Sequence, residues 1–73
     1  MRAFNLNRIV DETGISGTGV VAQGVQFDNG YCALTWLTKN TSVAFYPSIE
    51  MLEAIHGHNG KTKIEWAKDF TND

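Results

Sequence analysis

The triplet Asp28-Asn29-Gly30 does most to limit what this chain can become. Asn and Gly enter positive φ at low steric cost, and the twist of such a turn matches that of two antiparallel strands. On either side lie segments of alternating polarity, "VVAQGVQF" at 20–27 and "YCALTWLT" at 31–38. The triplet therefore predicts a hairpin. In the second arm Cys32, Leu34 and Trp36 share one face, and Tyr31, Ala33, Thr35 and Leu37 the other. Both faces carry apolar groups, so one of them is expected to meet a partner. In the first arm Val21, Val25 and Phe27 are expected to face the core, with Gly24 opposite them marking a bulge, a bend or a close backbone approach.

The same alternation from Phe4 to Ile9 predicts a first strand over 2–10, and the glycine-rich "DETGISGTG" that follows reads as a loop. "KNTS" turns the chain into a short strand "VAFY", which Pro47 ends. Ser48 is a suitable N-cap, Glu50 and Glu53 suit the positive end of a helix dipole, and Ile49, Leu52 and Ile55 recur along one stripe. A helix of about two turns follows, with Gly57 expected to close it in the left-handed region. "KTKIEWA" resumes the alternation as a last strand and "KDFTND" reads as a tail, giving one domain over 1–67 and a tail over 68–73. The order is β-β-β-β-α-β. It predicts a mainly β (α+β) fold, a small five-stranded antiparallel SH3-like partial barrel or curved sheet with one helix before the last strand. Phe4, Leu6, Val21, Val25, Phe27, Leu34, Trp36, Ile49, Leu52, Ile55, Ile64 and Trp66 are the expected core.

At 73 residues a domain buries only about 60% of its unfolded surface. Small domains compensate with disulfides, a metal or self-association. Cys32 is the single cysteine, so no intrachain disulfide can form, which leaves a metal or self-association, and a homo-oligomer is the expected partner. The lone thiol fits a reducing compartment, hence a cytoplasmic location. A net charge of −2 with six scattered Lys and Arg gives no basic stripe and argues against nucleic acid as a partner. No apolar run approaches a membrane span, so no membrane partner is expected.

"IHGHNGKT", residues 55–62, holds both histidines. Its Gly60-Lys61-Thr62 imitates the end of a phosphate loop. The position that loop requires to be glycine is Ile55, however, and a strand rather than a helix follows, so that mechanism is rejected. His56 and His58 could reach one ion together with Cys32 or Asp11, but structural zinc sites show four ligands in recognisable spacing and only two appear. His56 also suits the carbonyl end of a helix dipole. No metal and no cofactor is assigned, and the metal-dependent hydrolase built on these histidines is kept as the alternative function.

In "TGISGTG" the spacing is the reverse of a dinucleotide fingerprint and lies between two strands. Thr13, Gly14, Ser16, Gly17, Thr18 and Gly19 could present backbone amides to an anion, or simply make a tight, bulged reversal. Together with His56, His58, Lys61 and Thr62 they form the candidate ligand site, on the expectation that the two loops meet. No nucleophile stands beside a base, so no catalytic residue is assigned and an enzyme is the weaker reading. Tyr31 and Tyr46 are the candidates for protein contact, as aromatic groups on the second face of the third and fourth strands.

The strings "DETGISGTGVVAQGVQF" with "DNG", "LTWLT" and "YPSIEMLEAIHGHNGKTKIEW" resemble a family of small bacterial, archaeal and phage proteins that carry Thr-Gly-x-Ser-Gly-Thr-Gly and His-Gly-His-x-Gly motifs. The resemblance spans about residues 4–66 and brings no activity with it. It implies a compact accessory protein of viral or mobile-element origin. Such a protein without catalytic residues is expected to act by binding, as an inhibitor of host defence or an accessory factor, on a host protein or a small anionic, nucleotide-like ligand.

Overall fold

A computed structural model describes residues 1–11, 18–39 and 41–67, with the backbone alone for His58. Its strands are β1 (Arg2–Arg8), β2 (Gly19–Gln26), β3 (Cys32–Trp36), β4 (Val43–Tyr46) and β5 (Thr62–Trp66), with α1 (Ile49–His56) before the last strand. They form a single sheet in the order β4-β3-β2-β1-β5, every neighbouring pair antiparallel. The predicted element order holds. The sheet is open, with β4 and β5 as its edges, so the open-sheet form is the one adopted and no barrel closes among the described residues.

The Asp28-Asn29-Gly30 turn joins β2 to β3 as its residues demand. Gly30 N–H donates to Phe27 O at 2.9 Å, Phe27 N–H to Tyr31 O at 2.8 Å, and the Asn29 side-chain oxygen takes the Tyr31 amide at 3.1 Å. The last connection runs from one edge of the sheet to the other. Crossing the intervening strands needs roughly 19 Å at the usual strand spacing, more than the ~12 Å an eight-residue helix supplies. The turns around α1 make up the difference, and α1 lies across one face.

That face is the core. Phe4, Leu6, Ala22, Cys32 and Leu34 from the sheet and Leu52 from α1 are buried, and Val21, Trp36, Tyr46, Ile49, Ile64 and Trp66 pack around them. Trp66 and Phe4 pack in a T-shaped arrangement with ring centres 5.4 Å apart, and the Arg2 guanidinium lies 4.0 Å from the Trp66 ring centre.

Several sequence expectations are corrected here. In β2 the inward positions are Ala22 and Gly24, opposite Leu6 and Phe4; Val25 turns to the other face and Phe27 is exposed. The reason is the Phe4 ring, which occupies the space over Gly24: a β-carbon there would lie 2.4 Å from Phe4 Cζ and 2.6 Å from Ala33 O. Of the three alternatives raised at Gly24 the close backbone approach is the one found, while the register irregularity lies at Val21, where pairing passes from Leu6–Ala22 to Asn7–Val20, leaving Val21 half-buried against the core. In α1, Ile55 is 51% exposed, because the stripe facing the sheet runs Ile49, Leu52, His56. Gly57 is right-handed (φ −71°), its N–H bonded to Glu53 O at 2.7 Å; the left-handed residues are Asn59 (φ 57°) and Gly60 (φ 87°), in the turn leading to β5. The first strand ends at Arg8, after which the amides of Ile9 and Val10 both donate to Lys61 O, at 2.7 and 3.0 Å.

Candidate functional site

Arg8, the last residue of β1, pairs with Gly19 on one side and Thr62 on the other. Two strand spacings, about 10 Å, therefore separate the start of β2 from the start of β5. The glycine loop delivers the chain to Gly19, and the turn after α1 delivers it to Thr62. The described ends of both candidate loops thus emerge at the same end of the sheet, either side of Arg8. Thr13, Gly14, Ser16 and Gly17 lie outside the described residues; Thr18 and Gly19 lie within them. The carbonyl of Lys61, holding the Ile9 and Val10 amides, ties the second loop to the exit of β1. Thr62 is buried, and its amide donates to Gly57 O at 3.0 Å.

Beside this end, an open groove of about 780 Å³ runs between α1 and β5, lined by Glu50, Glu53, Ile55, Asn59, Gly60 and Lys63 among others. Two carboxylates on its helical wall oppose an anion there. The cations of the neighbouring strand end, Arg8 and Lys61, favour one.

His56 is held from the sheet side. Its Nε2 is 2.7 Å from the Tyr46 hydroxyl, and its ring makes T-shaped contacts with those of Trp36 and Tyr46, centres 5.1 and 5.6 Å away. The histidine thereby fastens the last turn of α1 to β3 and β4. The His58 side chain is outside the described residues. Among the described residues no three His, Cys, Asp or Glu side chains gather as metal ligands do. Cys32 is fully buried with its thiol 3.6 Å from Gly30 O, and burial, reinforced by the negative charge of Glu50, pushes its pKa up.

The two tyrosines occupy different faces. Tyr46 is half-buried on the helix side, and burial raises its pKa. Tyr31 is 55% exposed at the start of β3. On the helix-free face the apolar groups beside Tyr31 are Val43 (59% exposed) and Phe45 (72%), with Val25 and Ala33 lining a shallow cavity of about 320 Å³ next to Val43. Sequence reasoning passed over Val43 and Phe45. The signal was the alternation in "VAFY" read together with Pro47-Ser48: once a helix starts immediately after Tyr46, the side chain nearest that helix turns inward and its neighbours turn out. The other half of the same face is polar, with Gln23 Nε2 donating to Asn5 Oδ1 at 3.2 Å and Asn7 Nδ2 to Glu65 Oε2 at 3.0 Å.

Among the described residues no helix is long and apolar enough to cross a membrane. The model of a phage protein family, described as Acb5 phage protein, matches residues 1–68. No curated protein matches the chain, and no solved structure does.

Proposed function

The chain belongs to the Acb5 phage protein family, and from that premise we propose that it is a non-enzymatic accessory protein that acts by binding, in the host cytoplasm, against a component of host defence. Its binding end is the one where the glycine loop and the 57–62 turn leave the sheet. A small anionic, nucleotide-like ligand is the occupant best matched there, and a host protein carrying such a group is the second. The observation that supports this reading is the pairing of Arg8 with both Gly19 and Thr62, which sets the start of β2 and the turn carrying Lys61 either side of Arg8. Backbone amides of a glycine loop and flanking cations are what anion recognition uses.

The hydrolase alternative has less support. His56 Nε2 already faces the Tyr46 hydroxyl, so metal binding through that nitrogen would have to break this contact and the packing against Trp36.

Native mass spectrometry of the protein recovered from infected cells tests the proposal. The expected result is a retained anionic mass, or a captured host protein, that Arg8→Ala and Lys61→Ala each lose while the chain stays folded by circular dichroism. Retention unchanged in both variants would overturn the assignment to this end of the sheet. Zinc retained by the wild type and lost in His56→Ala would move the case to the metal-dependent reading.

A further inference from the structure

The edge strand β4 carries a second, independent message. Its residues are Val43, Ala44, Phe45 and Tyr46, without a charge among them. Native edge strands are commonly blunted by charge, proline or a bulge. β5, at the other edge, carries Lys63 and Glu65. β4 is protected by none of these within its length, and it exposes Phe45 and Val43 beside the edge.

The hydrogen-bond phase of β4 is fixed by its neighbour. Trp36 N–H reaches Ser42 O, and the register Thr35–Val43, Leu34–Ala44, Ala33–Phe45, Cys32–Tyr46 continues from there. Bonded and non-bonded pairs alternate in an antiparallel ladder. Ala44 and Tyr46 therefore direct their N–H and C=O groups at β3, and Val43 and Phe45 direct theirs outward. Both side chains on the helix-free face thus belong to residues whose backbone is open for pairing.

We propose that β4 pairs antiparallel with β4 of a second copy about a two-fold axis at Ala44, joining two sheets into one. In that register Val43 of each copy lies opposite Phe45 of the other and exchanges both backbone hydrogen bonds with it. An aromatic group then meets a β-branched one across the strands on the helix-free face, a favourable cross-strand pair. Ala44 meets Ala44 on the axis, where the non-bonded spacing is narrow and a small side chain is what fits. No like charges come together. Moving the axis to Phe45 would set Val43 against Pro47, which has no N–H to give. The contact is isologous, so it closes at two copies and leaves β5 as the outer edge on both sides. It also supplies the self-association that a core of six buried hydrophobic residues, among those described, invites. Short strands bury little area, so the dimer forms reversibly, in step with concentration.

The test is native mass spectrometry and light scattering over a concentration series on the full chain, with Val43→Lys, Phe45→Lys and Ala44→Cys. Wild type should shift towards twice the 8.1 kDa chain mass as concentration rises. Each lysine variant should raise the dissociation constant roughly 30-fold or more, as loss of an interface anchor does, with its circular dichroism unchanged because both positions are exposed. Under mild oxidation Ala44→Cys should form a covalent dimer that the wild type, whose Cys32 is buried, does not. A wild type that stays monomeric at every concentration would overturn the proposal. So would a dimer that survives both lysine substitutions, or one in which the cysteines at position 44 fail to cross-link, since copies stacked face to face would not bring them together.

Discussion

Gly24 shows how a single missing side chain organises the centre of the sheet. It lies between Phe4 on β1 and Leu34 on β3, both buried, and Phe4 fills the volume that its own side chain would take. A β-carbon at this position would meet a ring that can shift and a carbonyl of β3 that cannot shift without moving the strand. Gly24→Ala is therefore expected to destabilise by about 1–3 kcal/mol, in the range of other overpacked cores, despite the alanine's better strand propensity. Urea unfolding measures it, and a variant as stable as wild type would mean that the Phe4 ring has room to move. Phe4→Leu combined with Gly24→Ala should recover part of the loss, because the clash belongs to the pair.

At the scale of elements, what could be read in the sequence is what local chemistry decides. Ser48 caps α1 with its Oγ taking the Met51 amide at 3.1 Å, and the Asn29-Gly30 turn sets the β2–β3 register, so both follow from residues within a few positions of each other. Ser48→Ala should cost about 0.5–2 kcal/mol, the usual worth of such a cap, read as a lower urea midpoint at unchanged slope. The inward face of β2 could not be read this way. Val21 and Val25 are the better hydrophobes, but Phe4 and Leu6, distant in the chain, decide that the small residues Gly24 and Ala22 must lie opposite them. The candidate loops were legible as composition, and the placement of their described ends either side of Arg8 was not. It depends on β1 lying between β2 and β5, a pairing across more than fifty residues that no local pattern encodes.

At the scale of the whole molecule, a chain of this length is held by roughly 4–11 kcal/mol, and the sources are few. On the alkaline side the buried Cys32 and the half-buried Tyr46 both bear on stability. Folding raises the pKa of Cys32 above its ordinary 9.0 and that of Tyr46 above 10.0, mainly by burial in each case. Below pH 9 both are neutral in either state and their contribution is intact. Above it the unfolded chain loses its protons first, so stability should decline from about pH 9 and more steeply past 10. Tyr46→Phe should remove the second phase while leaving the first, as read from melting temperature against pH. The more severe expectation concerns Leu52, the one helical residue that is fully buried. Everything that keeps α1 on the sheet converges there, with Ile49 before it and the His56–Tyr46 contact after it. Leu52→Ala should cost about 2–5 kcal/mol, up to half or more of the total. Because α1 also leads into the turn that starts β5 beside Arg8, its loosening should weaken the binding end at the same time. Hydrogen exchange distinguishes the two possibilities. If the amides of β2 and β3 stay protected while those of α1 and β5 exchange, the helix and last strand form a separable unit; if all fall together, the sheet cannot stand without its one buried leucine from the helix.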